Sequence, residues 1–176
     1  MPTLESLEFF DSGYLREFRQ ALQQDRMPVL TWRIGGNDLL NWLKLRRPRH
    51  LTIYQTPLLT LIHQCIGQLV PHGFTLSAPV FEHFSNLALL KQEVELDVSY
   101  GLVGKTAIHP SQIDVIHNAF KVNHDDFIDA QQILQQDAKA VFSSHGSMLE
   151  PATQWQWATQ TLERARYYGV TKPEQN

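Results

Sequence analysis

The sequence predicts an α/β protein built on parallel strands, and three observations carry that reading. Short apolar runs alternate with longer segments of helical periodicity, which is the rhythm of βα units. Several of those runs stop at a strong breaker: Gly35-Gly36, Pro79 and His109-Pro110. The 176 residues are 43% hydrophobic and 19% charged, enough for one globular domain with its own core.

Taken in order, Met1–Glu5 is a short first strand. A helix follows, with Asp11 or Ser12 as cap and Tyr14, Phe18, Ala21 and Leu22 on its apolar face. The second strand is Val29–Ile34, and a short helix after Gly35-Gly36 carries Leu39, Leu40, Trp42 and Leu43. A loop from Arg46 to Tyr54 leads to Pro57, which suits the first turn of a helix running to about Val70. Phe74–Ala78 is the third strand, and the next helix spans Asn86–Tyr100 and stops at Gly101. Lys105–Ile108 is a short fourth strand. Helical patterns at Ser111–Phe120, Asp125–Ala140 and Pro151–Tyr168 complete the chain, with Val141–Glu150 between the last two, Gly169 as C-cap and a polar tail. This divides the sequence into βα units over 1–122 and a helical extension over 123–176. Four parallel strands do not close a barrel, so counting alone favours a small α/β sandwich.

Charge and composition exclude several classes. The formal net charge is −3, and the one concentrated basic run, Arg46-Arg47-Pro48-Arg49, reads as a water-exposed loop or one that meets an anionic ligand. A nucleic-acid partner is not expected. Cys65 is the single cysteine, which rules out an internal disulfide and suits a reducing compartment. It falls within an apolar helical stretch, where a packed thiol outweighs a nucleophile. No signal peptide and no run approaching the ~20 apolar residues of a membrane helix is visible, so the expected location is the cytoplasm.

Sites in parallel α/β proteins form where strands end at their C-terminal side. Glu5-Ser6, Asn37-Asp38, Glu82, Lys105 and His109 all fall there. Glu5 and Asp38 at neighbouring strand ends could share one Mg2+, which needs only a few carboxylate oxygens beside water and substrate. The Gly-Gly before Asn37-Asp38 permits a tight turn. On spacing alone, Asp38 as a helix-capping residue is the stronger reading. His109, held out of helix by Pro110, could be a base, a ligand or a structural hydrogen-bonder. Lys105 inside a strand needs either a carboxylate partner or a polar barrel mouth. The remaining histidines show no metal spacing, and Trp32, Trp42, Trp155 and Trp157 read as packing.

The segment Gly101-Leu-Val-Gly104-Lys105-Thr-Ala-Ile108-His109-Pro110-Ser-Gln112 resembles the eighth-strand pattern G-x-x-G-K-x-x-I-H-P-x-Q of citrate lyase β-subunit-like enzymes, in the HpcH–HpaI aldolase superfamily. Leu4-Glu5-Ser6 resembles the family's L-E-T, Gly35-Gly36-Asn37-Asp38-Leu39 its G-x-E-D-L, Ala130–Leu134 is similar to its A-x-x-I-L, and Gly146–Pro151 to its G-x-M-I-D-x-P. Arg33–Leu40 and Leu51–Tyr54 resemble a branch found in bacterial stress and tellurite-resistance gene clusters. The resemblance implies the C-terminal half of a (βα)8 barrel with a helical extension. It also implies Mg2+ held by Glu5 and Asp38, and C–C bond cleavage in an acyl-CoA thioester or an oxo or hydroxy acid through a metal-stabilised enolate. Glu150 stands where the family places an aspartate delivered by a neighbouring subunit's lid. Lys105 and His109 match the motif and are counted with Glu150 as catalytic candidates, their expected work being to hold the eighth strand and its loop. The first four strands, with an arginine for the substrate carboxylate, have no counterpart in the sequence. The chain therefore reads as part of a longer lyase, or as a half-barrel that pairs with a copy of itself or with an N-terminal half. A non-catalytic interaction module is the alternative. A phosphate-binding module using Arg46, Arg47 and Arg49 ranks last, because no glycine-rich loop precedes a helix.

Overall fold

The structure is a computed structural model that describes residues 29–173, together with helical positions 17, 20 and 21. The expected first strand, Glu5, and the Tyr14, Phe18 and Leu22 face lie outside the described residues. The chain divides into two compact units, Met1–Ile116 and His117–Asn176.

In the first unit, β1 (Trp32–Arg33) leads into α1 (Gly36–Trp42). A 3-10 turn (Ile53–Gln55) precedes α2 (Leu58–Leu69), then β2 (Leu76–Ser77) and α3 (Leu87–Ser99). β1 and β2 pair in parallel, Trp32 opposite Leu76 and Arg33 opposite Ser77. Ala78 then makes a parallel bridge to Lys105. The expected second and third strands thus lie side by side, while of the expected fourth, Lys105–Ile108, only Lys105 pairs, as a single bridge. Their hydrogen bonding reaches beyond the named strand residues: Trp32 N–H donates to Thr75, Ile34 to Ser77, Val103 to Leu76 and Ala78 to Gly104. This is the parallel arrangement that βα connections enforce.

The helices are formed by burial at helical spacing. α2 buries Leu58, Ile62, Cys65 and Leu69, and these join Ile34, Leu40, Ile53, Tyr54 and Leu76 in the core of this unit. Fully burying each such side chain contributes about 1.5–3 kcal/mol. A 3-10 turn (Val70–His72) ends at Gly73, whose φ of +85° is the left-handed conformation glycine adopts without cost. The Asn86 side chain caps α3 by accepting from Leu89 N–H at 3.1 Å.

A 3-10 turn (Pro110–Gln112) runs into α4 (Ile113–Ala119). The second unit contains α5 (His124–Ile133), a hairpin of β3 (Phe142–Ser144) and β4 (Ser147–Leu149), and α6 (Pro151–Tyr168). Ala130, Ile133, Leu149 and Ala158 form its core, with Leu134, Phe142 and Leu162 packed against them. α5 is shorter than the expected 125–140. Beyond Leu134 the next residues, Gln135, Gln136 and Asp137, are exposed, so no buried face remains to sustain the helix. The Val141–Glu150 connection contains an antiparallel hairpin. His145 and Gly146 both have positive φ, +46° and +78°, as a two-residue type I′ turn requires. Gly169 closes α6 as expected, its N–H donating to the Ala165 carbonyl. No helix among the described residues is long and apolar enough to cross a membrane.

Candidate active site

The C-terminal ends of β1 and β2 carry the candidate chemistry. β1 releases the chain through Gly35-Gly36, and α1 starts at once, placing Asp38 in its first turn with an exposed carboxylate. The two glycines are crowded to different degrees. A Cβ on Gly36 would sit 2.6 Å from the Pro79 Cβ and 3.0 Å from the Ile53 Cδ1, because the turn packs directly on the loop that follows β2. A Cβ on Gly35 would sit 2.9 Å from Asp38 Oδ2, because the carboxylate folds back over the turn. The helix has no side-chain cap, so Asp38 does not serve as one. Its negative charge is nonetheless favourable near a helix N-terminus.

As a donor for a hard divalent cation, Asp38 fits: an exposed carboxylate in the first turn after a strand end. Glu5, its expected partner, lies outside the described residues. Among the described residues no three His, Cys, Asp or Glu side chains converge as a metal cluster.

Behind these loops is a buried ionic network that the sequence reading did not anticipate. Glu93 and Asp97, one turn apart on α3, are both fully buried. Lys105 Nζ donates to Glu93 Oε1 at 3.0 Å and to Asp97 Oδ2 at 2.9 Å. Arg47, only 3% exposed, pairs with Glu93 Oε2, donates to the Val80 carbonyl at 2.7 Å, and lies 4.8 Å over the Phe81 ring. Ile53 N–H donates to Glu93 at 2.7 Å, and the Tyr54 hydroxyl donates to Asp97. Burial pushes Asp97 up to about 6, partly offset by the Lys105 ammonium and the Tyr54 hydroxyl. Burial, reinforced by the Asp97 charge, likewise raises Tyr54. Burial also takes the Cys65 thiol up to about 11, which keeps it protonated and suits the packed-thiol reading.

Lys105 therefore has carboxylate partners on α3, the first of the two settings expected for it. The basic run is not a uniformly exposed loop: Arg47 is a core cation while Arg46 and Arg49 are exposed. A signal for this was present, since two acids at helical spacing among Leu89, Leu90 and Val94 place charge on an apolar face.

His109 caps the 3-10 turn after the Lys105 bridge: its Nδ1 accepts from Ser111 N–H at 3.2 Å, and its ring stacks on Phe84 at 4.8 Å. Gln112, fully buried, accepts from Ile108 N–H and donates to the Phe81 carbonyl at 2.7 Å. The His-Pro-Ser-Gln motif thus ties the loop after the Lys105 bridge to the loop after β2. Glu150 belongs to the second unit, at the N-cap of α6, where Thr153 Oγ1 donates to its Oε2 at 3.3 Å.

Comparison with known proteins agrees with this architecture. The M. tuberculosis CitE protein, solved in complex with magnesium, acetoacetate and coenzyme A, is 22% identical, with a TM-score of 0.59 over 76% of this chain and 51% of that one. A citrate lyase from Burkholderia xenovorans LB400 is 18% identical, with a TM-score of 0.63 over 93% of this chain and 53% of that one. The chain spans about half the length of these solved structures, and at such identities the likeness shows the fold: a partial TIM barrel with a helical extension. No curated protein sequence matches the chain. The model of the C–C bond lyases of the TIM-barrel fold matches residues 1–170, and the chain belongs to that family.

Proposed function

We propose that this chain forms the metal-bearing half of a Mg2+-dependent carbon–carbon lyase or aldolase, acting in the cytoplasm on an acyl-CoA thioester or an oxo or hydroxy acid. The observation that carries the reading is Asp38: an exposed carboxylate on a Gly-Gly turn at the strand end, in a chain of the C–C bond lyase family. The magnesium, acetoacetate and coenzyme A in the complex of the M. tuberculosis protein support the choice of cation and substrate class. Asp38 and Glu5 would hold the cation, which supplies Lewis acidity toward a substrate carbonyl. Lys105 is a positioning residue, its ammonium spent on Glu93 and Asp97. His109 holds the loop beside the site, and Glu150 would serve as the acid that one subunit's lid delivers to its neighbour. Completion of the barrel by a second copy or by an N-terminal half belongs to the same proposal.

Calorimetric titration with Mg2+ tests the reading. Saturable binding by the wild-type chain should be lost in Asp38→Asn, with the circular dichroism spectrum unchanged. Equal heats in the two proteins would overturn it.

A further inference from the structure

Burial sorts the arginines of the 46–49 loop. Arg47 is committed to Glu93 and the Val80 carbonyl. Arg46 is exposed, and among the described residues no carboxylate lies within ion-pair distance of it. It lines a cavity of about 180 Å³ with Asn37, Leu40, Leu45, Arg47 and Glu82. Glu82 faces the same space without pairing to Arg46; its ionic neighbour is His83 Nε2 at 3.9 Å.

Two opposite charges on one small cavity that do not close on each other leave room for a ligand presenting an anion to one and a hydrogen-bond donor to the other. Leu40 and Leu45 supply apolar wall for a short aliphatic segment, and the Asn37 amide can donate or accept. The volume is below the ~300 Å³ at which drug-sized ligands are accommodated, so the occupant is a short acid or the acid end of a longer molecule.

Position and rigidity reinforce this. Asn37 adjoins Asp38, and Glu82 follows β2, so the cavity lies between the two loops that carry the candidate chemistry. Arg47 pins the second loop through Val80 and Phe81, and Gly36 packs on Pro79, so the two walls are held together. The backbone that carries Arg46 and Glu82 is thereby held in place on both sides of the cavity.

We propose that this cavity reads the acid end of the substrate: Arg46 binds the carboxylate of a short hydroxy acid and Glu82 accepts a hydrogen bond from its hydroxyl. The two residues are specificity determinants for the reaction proposed above, and the inference rests on that reading. A carboxylate on Arg46 forms a charge-assisted hydrogen bond, and a hydroxyl-reading acceptor rejects the analogue without the hydroxyl.

The test titrates the full chain, with Mg2+ present, with β-hydroxybutyrate and with butyrate. Arg46→Gln should weaken both ligands about ten- to a hundred-fold, the range of a charged hydrogen bond, and Arg46→Lys should restore part of the loss. Glu82→Ala should abolish the preference for β-hydroxybutyrate while leaving butyrate bound as well or better. A merely structural role would weaken both ligands alike in both variants, and that outcome would overturn the proposal. So would equal affinity in wild type and Arg46→Gln, or no binding of β-hydroxybutyrate by wild type. Mg2+ titration of the same variants separates the two readings: retained Mg2+ binding with failed acid discrimination sinks this inference alone, whereas absent Mg2+ binding in wild type sinks the lyase reading.

Discussion

Glu93 and Asp97 are fully buried carboxylates, and leaving either unpaired would cost about 3–5 kcal/mol. The fold answers with two cations, a tyrosine hydroxyl and a backbone amide, all directed at these two groups. Asp97 makes the network sensitive to pH. Burial raises it from an ordinary 3.8 to about 6, so the folded chain holds its proton where the unfolded chain has released it. Its contribution to stability is therefore fully present below about pH 4 and is lost as pH rises through about 6. A shift of this size corresponds to a few kcal/mol, on the order of 1–3. In Asp97→Asn the side chain keeps its hydrogen-bonding oxygen but cannot titrate. Urea midpoints across pH 4 to 7 should show wild type losing stability relative to Asp97→Asn as pH rises. A difference that grows in favour of wild type would refute this account of the network.

At the scale of elements, the first turn of α1 is where sequence and site meet most tightly. Gly36→Ala would place a methyl group 2.6 Å from Pro79 Cβ, and a proline ring in a packed loop has little freedom to withdraw. Overpacking of this kind costs about 1–3 kcal/mol. It should also displace Asp38, so the variant is expected to melt lower and bind Mg2+ more weakly, by thermal unfolding and titration respectively. Unchanged melting would mean that the two loops are not braced through this contact. The same element shows what sequence could and could not supply. Gly35-Gly36 marked the turn, and Pro79 marked the end of a strand, but no local pattern says that Gly36 and Pro79 touch. Helix α2 was legible almost to the residue, because Leu58, Ile62, Cys65 and Leu69 recur at helical spacing. The hairpin before Glu150 escaped notice because its turn is His-Gly, with the first positive φ on a histidine, and its strands are three residues each. Lys105 was legible as a residue in need of a partner. Its partners were not, since Glu93 and Asp97 meet it only after α3 packs against the sheet.

At the scale of the whole molecule, the described sheet is a fragment of a closed architecture. β1 and β2 pair, Ala78 joins the Lys105 segment, and among the described residues no further strand pairs with this sheet. A parallel sheet has helices on its faces and is closed or protected at its edges, and an unpaired edge is a template for association. The expected consequence is association, either with a second copy or with a chain that provides the missing strands. Light scattering on the purified protein at tens of micromolar should therefore give a mass that is a multiple of 20.3 kDa, and dilution should lower both the mass and the melting temperature together, as linkage between folding and assembly requires. A concentration-independent 20.3 kDa particle with a cooperative melt would show that the fragment closes its own edges. The site would then have to work with the residues of a single chain.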